Sequence, residues 1–322
     1  MGIAAAIRNG DALRLFEKCV YFSNNGGYHK GIVLKKQPKP AIVDGSVKRY
    51  IMNKKMKKFK SVHSYQIFAR KVLRDGRYFF DNESKEFLDT ILANANSRIE
   101  KIPAGSNFWR AQLGHSWEKL FHEDEYIDDI PCPFPPERMK PLPNRAFEGR
   151  ANPKGIPYLY GANKKNTALA EIRPWIGSII SLAQFKIKRE IILVNFTQDD
   201  GCRKIYLQEP DSKEKEKAIW TAIDCAFSKP INRNGDLADY APTQIVAELL
   251  NKNGFDGICY RSVFGGGVNI VLFDLECAEL RNCTLYVAKD IDFNFEQDSN
   301  PYFIVDKKQG VHNQAHPNSG RK

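Results

Sequence analysis

Glu171 is the one carboxylate in the run GRANPKGIPYLYGANKKNTALAEIRPWIG, residues 149–177, which otherwise carries cations and aromatic rings. An arginine's planar fork grips phosphate or carboxylate oxygens two at a time, and a tyrosine face can lie against a flat ring. A carboxylate set among such groups can hold a sugar hydroxyl and stabilise a cation that forms beside it. Arg150, Tyr158, Tyr160, Glu171 and Arg173 therefore read together as the wall of a pocket for a flat, anionic ligand. Arg110 adds a second signal. It sits on the apolar segment NFWRAQL between Trp109 and Ala111, and an arginine facing inward there must find an anion.

The elements that would carry these side chains are short. Pro157, with the apolar Ile156 and Leu159, marks the start of a strand, and Gly161 breaks it. Asn166 is read as the N-cap of a helix over residues 167–172, which holds Glu171 and leads into Arg173. Upstream, residues 107–113 alternate with period two, as a strand does. The Pro-rich stretch from 114 to 148 is expected to be a long irregular loop, the kind that often serves as a lid.

Downstream, strands are expected at 179–187 and 191–196. A helix over 213–227 turns Ile219, Trp220, Ile223 and Phe227 inward, and a second begins at Thr243, read as its cap. A strand starting at Gly257 leads to Arg261 and Ser262, and the glycines of FGGGVN turn the chain into another at 268–273, with one or two more to follow. No Lys-Ser or Lys-Thr follows those glycines, so they read as a turn between strands and not as a phosphate loop.

The net charge of +11 is unevenly spread: residues 1–101 hold 21 Lys and Arg against 9 Asp and Glu, and the remainder 28 against 29. All the basicity lies in the first third, which carries a short helical pattern over 1–23 and further amphipathic segments up to a helix capped by Asp81 or Asn82 and running on through Ile102. Residues 1–103 are thus expected to be a basic, mostly helical module, 104–305 a separate domain, and 306–322 a disordered polar tail. The basic face would attract nucleic acid or an acidic protein. Its run KKMKKFK reads first as a solvated helix face packing Met56 and Phe59 inward, and second as a nucleic-acid-contacting helix. No stretch of eighteen apolar residues occurs, and no cation precedes the short apolar patch near the N-terminus, so a cytoplasmic protein is expected, away from membranes. Seven scattered cysteines with no C-x-x-C pair imply reduced thiols and no metal site.

The blocks FWRA, GRANPKGIPYLY, TALAEIRP, YAPTQIVAELLNKNGFDGICYRS and GGVNIVLFD occur in an order and spacing that resemble the RES domain, a family named for its Arg, Glu and Ser. The resemblance covers about residues 105–280 and leaves the first hundred unexplained. It implies an α+β fold similar to the ADP-ribosyltransferase toxins, a split mixed β-core with helices around it. It also implies a toxin of a bacterial toxin–antitoxin pair that destroys NAD by splitting nicotinamide from ribose, with water or phosphate as acceptor. The implied partner is an antitoxin, commonly of the Xre type, and a homo-oligomer is a further expectation. Carried over, Glu171, Arg110 and Ser262 are the catalytic set and Arg150 and Tyr160 bind substrate, while Tyr158 and Asn269 are further substrate-binding candidates of this chain. The chain departs from the family in two places: Ala151 stands where an aromatic is usual in G-R-W-N, and Val263 where a second serine is often found.

The chemistry agrees with these residue types. Loss of nicotinamide from NAD passes through an oxocarbenium-like ribosyl cation. Glu171 would stabilise it and hold the 2′-hydroxyl, an arginine would take the diphosphate, and Tyr160 would stack on the nicotinamide ring. Ser262 would orient or donate, since no histidine stands in a triad arrangement with it. NAD is then substrate, with no prosthetic group. Two rival readings use the same chain differently: an ADP-ribosyltransferase acting on a protein or nucleic acid through the same pocket, and a non-catalytic nucleic-acid-binding protein built on the basic third.

Overall fold

The computed structural model describes residues 57–142, 145–201, 204–229 and 237–292. The chain divides into two units, residues 1–54 and 55–322, and every described residue belongs to the second. The helical pattern at 1–23, Met56 and the tail from 306 lie outside the described residues.

Ten strands run β1 (Ile99–Ile102), β2 (Asn107–Leu113), β3 (Ser116–His122), β4 (Glu125–Cys132), β5 (Leu159–Ala162), β6 (Ile179–Ile187), β7 (Ile191–Asn195), β8 (Gly257–Arg261), β9 (Val268–Leu272) and β10 (Ala278–Val287). The helices are α1 (Ser64–Arg74), α2 (Asn82–Ala95), α3 (Pro136–Met139), α4 (Lys165–Glu171), α5 (Ser212–Ser228) and α6 (Ala241–Lys252). Eight strands form one mixed sheet in the order β1-β7-β8-β9-β5-β2-β6-β10, in which only β7 and β8 are parallel. The expected α+β class with a mixed sheet and surrounding helices is what the chain adopts.

The sheet is nearly cut in two. Strands β2 and β6 pair at seven positions from Asn107 to Leu113, and β5 and β9 at four, but β2 and β5 meet at the single pair Trp109–Ala162. Contact there is close: a Cβ on Gly161 would lie 2.5 Å from the Phe108 ring and 2.7 Å from the Trp109 carbonyl. On one side Phe108, Phe134, Met139, Leu159 and Phe185 form the main core. On the other, Ala111, Ala162, Ile180 and Leu182 are small or flat enough to admit Ala168 of α4 against the seam.

At the far end Trp220 and Phe227 of α5 stack around Phe196, and Phe227 reaches Tyr260 of β8. Ile191, Leu193 and Val194 of β7 are buried, as a strand covered on both faces requires. Asp81 caps α2 by accepting from the Ser84 N–H, and Asp211 caps α5 through the N–H groups of Lys213 and Glu214.

Five expectations are corrected. A boundary at residue 103 does not hold, because β1 pairs antiparallel with β7 from Ile99–Val194 to Ile102–Ile191 and so belongs to the central sheet. The helix expected to run on through Ile102 stops at Ala95, where Arg98 is drawn inward to Asp199 at 2.6 Å and over the Trp220 ring. Residues 57–60 are not helical: Phe59 is buried, while Lys57 and Lys60 pair with Asp89 and Glu86 of α2. The stretch 114–148 is not an irregular loop throughout, since β3 and β4 pair with each other, and α3 follows. The assigned caps also fail: α4 begins at Lys165 with no side-chain cap, and Thr243 lies inside the first turn of α6.

Gly161→Ala is expected to lower stability by about 1–3 kcal/mol, the usual cost of overpacking a filled site, read as a lower denaturation midpoint. Burial pushes the Cys277 thiol up to about 12 and raises that of Cys259. Native-state iodoacetamide should therefore spare both and label the half-buried Cys132 and Cys225, as mapped by mass spectrometry.

Candidate functional site

Glu171 is the last residue of α4. A carboxylate at a helix C-terminus is disfavoured by the helix dipole, typically by about 0.3–1 kcal/mol. Two donors offset this: Ser262 Oγ and Asn269 Nδ2 each donate to Oε1 at 2.6 Å, and bonds to a charged group are worth about 1.5–3 kcal/mol each. Both fall on Oε1; among the described residues no bond reaches Oε2.

The two donors come from opposite sides of one turn. Tyr260 of β8 faces Asn269 of β9 in register, and Ser262 N–H closes the connection onto the Gly267 carbonyl at 3.0 Å. Thr167 of α4 donates to the Gly265 carbonyl at 2.9 Å, and a Cβ on Gly265 or Gly267 would lie within 2.5 Å of Thr167 atoms. The glycines of FGGGVN are therefore there to let the turn press against α4, which keeps Ser262 within reach of Glu171. They serve close backbone approach, as the reading of a turn between strands implies.

Glu171 and Asn269 open into a cavity of about 440 Å³ that also takes in Arg110, Arg150, Tyr160 and Trp109. It lies at the seam between β2 and β5, beneath the end of α4. Arg110 reaches from β2 and donates from Nη1 to the Tyr160 carbonyl at 3.0 Å, while its Nε, closed off from solvent, has no partner. Burial draws its guanidinium down to about 10, which leaves it charged at neutral pH. Arg150 donates from Nη1 to the Phe227 carbonyl at 2.5 Å and also bonds the Tyr260 side chain.

Tyr160 lines the cavity, yet its hydroxyl serves the loop before it. It donates to Asn152 Oδ1 at 2.7 Å and accepts from the Ala151 N–H at 2.9 Å, and burial raises its pKa further above the ordinary range. Tyr158 is not part of the site, contrary to expectation. It is buried, stacks near Phe273 at 4.8 Å and accepts from Asn251 Nδ2 at 3.0 Å. The strand begins only at Leu159, so the alternation that would place residues 158 and 160 on one face does not extend to it. Arg173 has left the helix with a φ of 47° and lies over the Phe264 ring, outside the cavity lining.

Several lining residues carry no periodic or motif signal. Tyr240, which reads as local structure beside a cap, lines the cavity together with Tyr260 and Glu148. Glu148 makes the site one of two carboxylates. Tyr260 could have been found from its pairing position across from Asn269, but only once the register was known. A second cavity, of about 470 Å³, lies by α1 and α5, with charges of both signs and none of these residues.

Residues 118–296 match the model of the RES domain family. That is more than half of the 322 residues, and the chain belongs to this family. Arg110 stands ahead of the matched span but shares the cavity. Among solved structures, a chain from the crystal structure of the M. tuberculosis MbcT–MbcA toxin–antitoxin complex is similar at 13% identity, with a TM-score of 0.33 over 61% of this chain and 91% of that one. No curated protein matches.

The two tyrosines should separate in denaturant unfolding. Tyr158→Phe removes one hydrogen bond and is expected to cost about 1 kcal/mol, whereas Tyr160→Phe strands the buried Asn152 oxygen and should cost about 1–3 kcal/mol.

Proposed function

We propose that this protein is a toxin that consumes NAD by breaking the bond between nicotinamide and ribose. The observation that carries the reading is the convergence of Glu171, held by Ser262 and Asn269, with the half-buried Arg110 in one cavity at the sheet seam. The Arg110 guanidinium lines the cavity and pairs with no acid among the described residues, so it is suited to an anion from outside the chain, and NAD brings a diphosphate. Glu171 lines the cavity with Oε1 anchored by two donors, and Oε2, which takes no bond among the described residues, would accept from a ribose hydroxyl. Such preorganisation stabilises charge that appears only in the transition state.

In this reading the N-glycosidic bond breaks with its electron pair leaving on nicotinamide, which departs neutral. The positive charge develops on the ribosyl C1′ beside Glu171, and water or phosphate adds there, water releasing a proton. Arg110 and Arg150 take the diphosphate oxygens. Ser262 holds the carboxylate by donating its hydroxyl hydrogen to Glu171. Family membership supports an antitoxin as partner and action in the cytoplasm; no described helix is long and apolar enough to cross a membrane.

Incubating the purified protein with NAD labelled in the adenosine half, with and without phosphate, tests the reading. Free ADP-ribose or its phosphate ester is the expected product. Label transferred to a macromolecule would establish the ADP-ribosyltransferase instead, and tight salt-sensitive nucleic-acid binding with no NAD loss the binding protein. Glu171→Gln is expected to lower kcat by about 10²–10³-fold, the range for loss of one preorganised charge-stabilising group. Arg110→Ala should raise KM steeply and abolish growth arrest on expression. Two folded variants with unchanged turnover would show the site to be misassigned.

A further inference from the structure

Residues 147–152 carry Glu148 and Arg150 into the cavity without any regular secondary structure to hold them. Their backbone is held instead by side chains. Gln244 of α6, almost fully buried, donates from Nε2 to the Gly149 carbonyl at 2.9 Å, the Asn152 carbonyl at 3.1 Å and Glu148 Oε1 at 3.1 Å. Thr243 Oγ1, one position earlier, donates to the Arg150 carbonyl at 2.6 Å. Asn152, also buried, donates from Nδ2 to the carbonyls of Phe147 and Ile156 at 2.9 and 2.8 Å. Gly149 fits only because it lacks a side chain, since a Cβ there would lie 2.7 Å from both Asn152 Oδ1 and the Tyr160 hydroxyl.

We infer that Gln244 is a positioning residue: from the first turn of α6 it fixes the loop 148–152 so that Arg150 and Glu148 face the cavity before any ligand arrives. One amide clasps two main-chain carbonyls on either side of Arg150 and a carboxylate next to it, so it sets both where the loop runs and where Glu148 points. A loop of this kind left to side-chain disorder would have to be ordered by the ligand, and affinity would fall accordingly. Gln244 touches no reacting atom. Its effect passes through Arg150, which is why it belongs with binding and not with bond breaking. The consequence for turnover rests on the reading of the cavity as an NAD site; the consequence for the loop does not.

The test is a double-mutant cycle on the full chain, with amide exchange as a second readout. Gln244→Glu places a carboxylate against Glu148 and two carbonyls. It is expected to raise KM for NAD by about tenfold or more with kcat within about twofold, and in an Arg150→Ala background to add little further. Exchange at residues 148–152 should quicken in Gln244→Glu while that of β6 and β9 does not. If this variant does not fold, Gln244→Met keeps length and removes the donors, and the same cycle applies. Unchanged exchange in the loop, or KM shifts that multiply independently of Arg150, would overturn the inference. Faster loop exchange in a protein whose wild type neither binds nor consumes NAD would uphold the clamp and overturn the NAD reading.

Discussion

Neighbouring antiparallel strands ordinarily share a ladder of bonds along their length, and β2 and β5 share one pair, at Trp109 and Ala162. Beyond that point the two strands share no further pair, and the cavity lined by Arg110, Arg150, Tyr160 and Glu171 opens there. Arg110 follows Trp109 directly on one strand, and Tyr160 precedes the pair by two residues on the other, so the seam itself brings them within 3.0 Å through the Tyr160 carbonyl. Helix α4 closes one side of the opening through Ala168, and its C-terminal residue is Glu171. A fully paired sheet would leave no room for this arrangement. A wider separation would lose the Arg110 bond and expose the core behind Phe108.

The electrostatics of the cavity follow from how each charge is supported. Glu171 stands at an unfavourable helix end and is held there by two neutral donors, not by a salt bridge. Neutral support keeps the carboxylate's charge available to a cationic partner, where a bridging arginine would cancel part of it. The arginines are likewise tied to carbonyls, Arg110 to Tyr160 and Arg150 to Phe227, and not to acids. Charged groups held by uncharged ones form a site with strong local fields of both signs close together. That suits the substrate proposed above, anionic at its diphosphate and cationic at its sugar as the bond breaks.

Much of this was readable in the chain. The strands with long apolar runs, β6 and β7, and the two helices with clear inner faces, α5 and α6, stand close to their expected positions because burial writes a period into the sequence. The meeting of Glu171, Arg110, Ser262 and Asn269 followed from the order of the blocks that carry the family resemblance. What escaped leaves no period. Strand β1 is four residues with two charges, IEKI, directly after a helix, and nothing local distinguishes it from one more turn. The loop around Arg150 is fixed by side chains of Gln244 and Thr243 more than ninety residues away, a contact between residue types that are ordinary in any helix. Tyr158 misled for a related reason, since a spacing of two is meaningful only inside a strand.

The hairpin of β3 and β4 has an architectural consequence. Its strands pair only with each other, and Trp117, Phe121, Tyr126 and Ile127 are all more than half exposed. It adds almost nothing to the core and spans no part of the seam, so its length and composition can drift without moving any atom around Glu171. The outward faces of these two strands are thus set by solvent and not by the packing that fixes the position of Glu171.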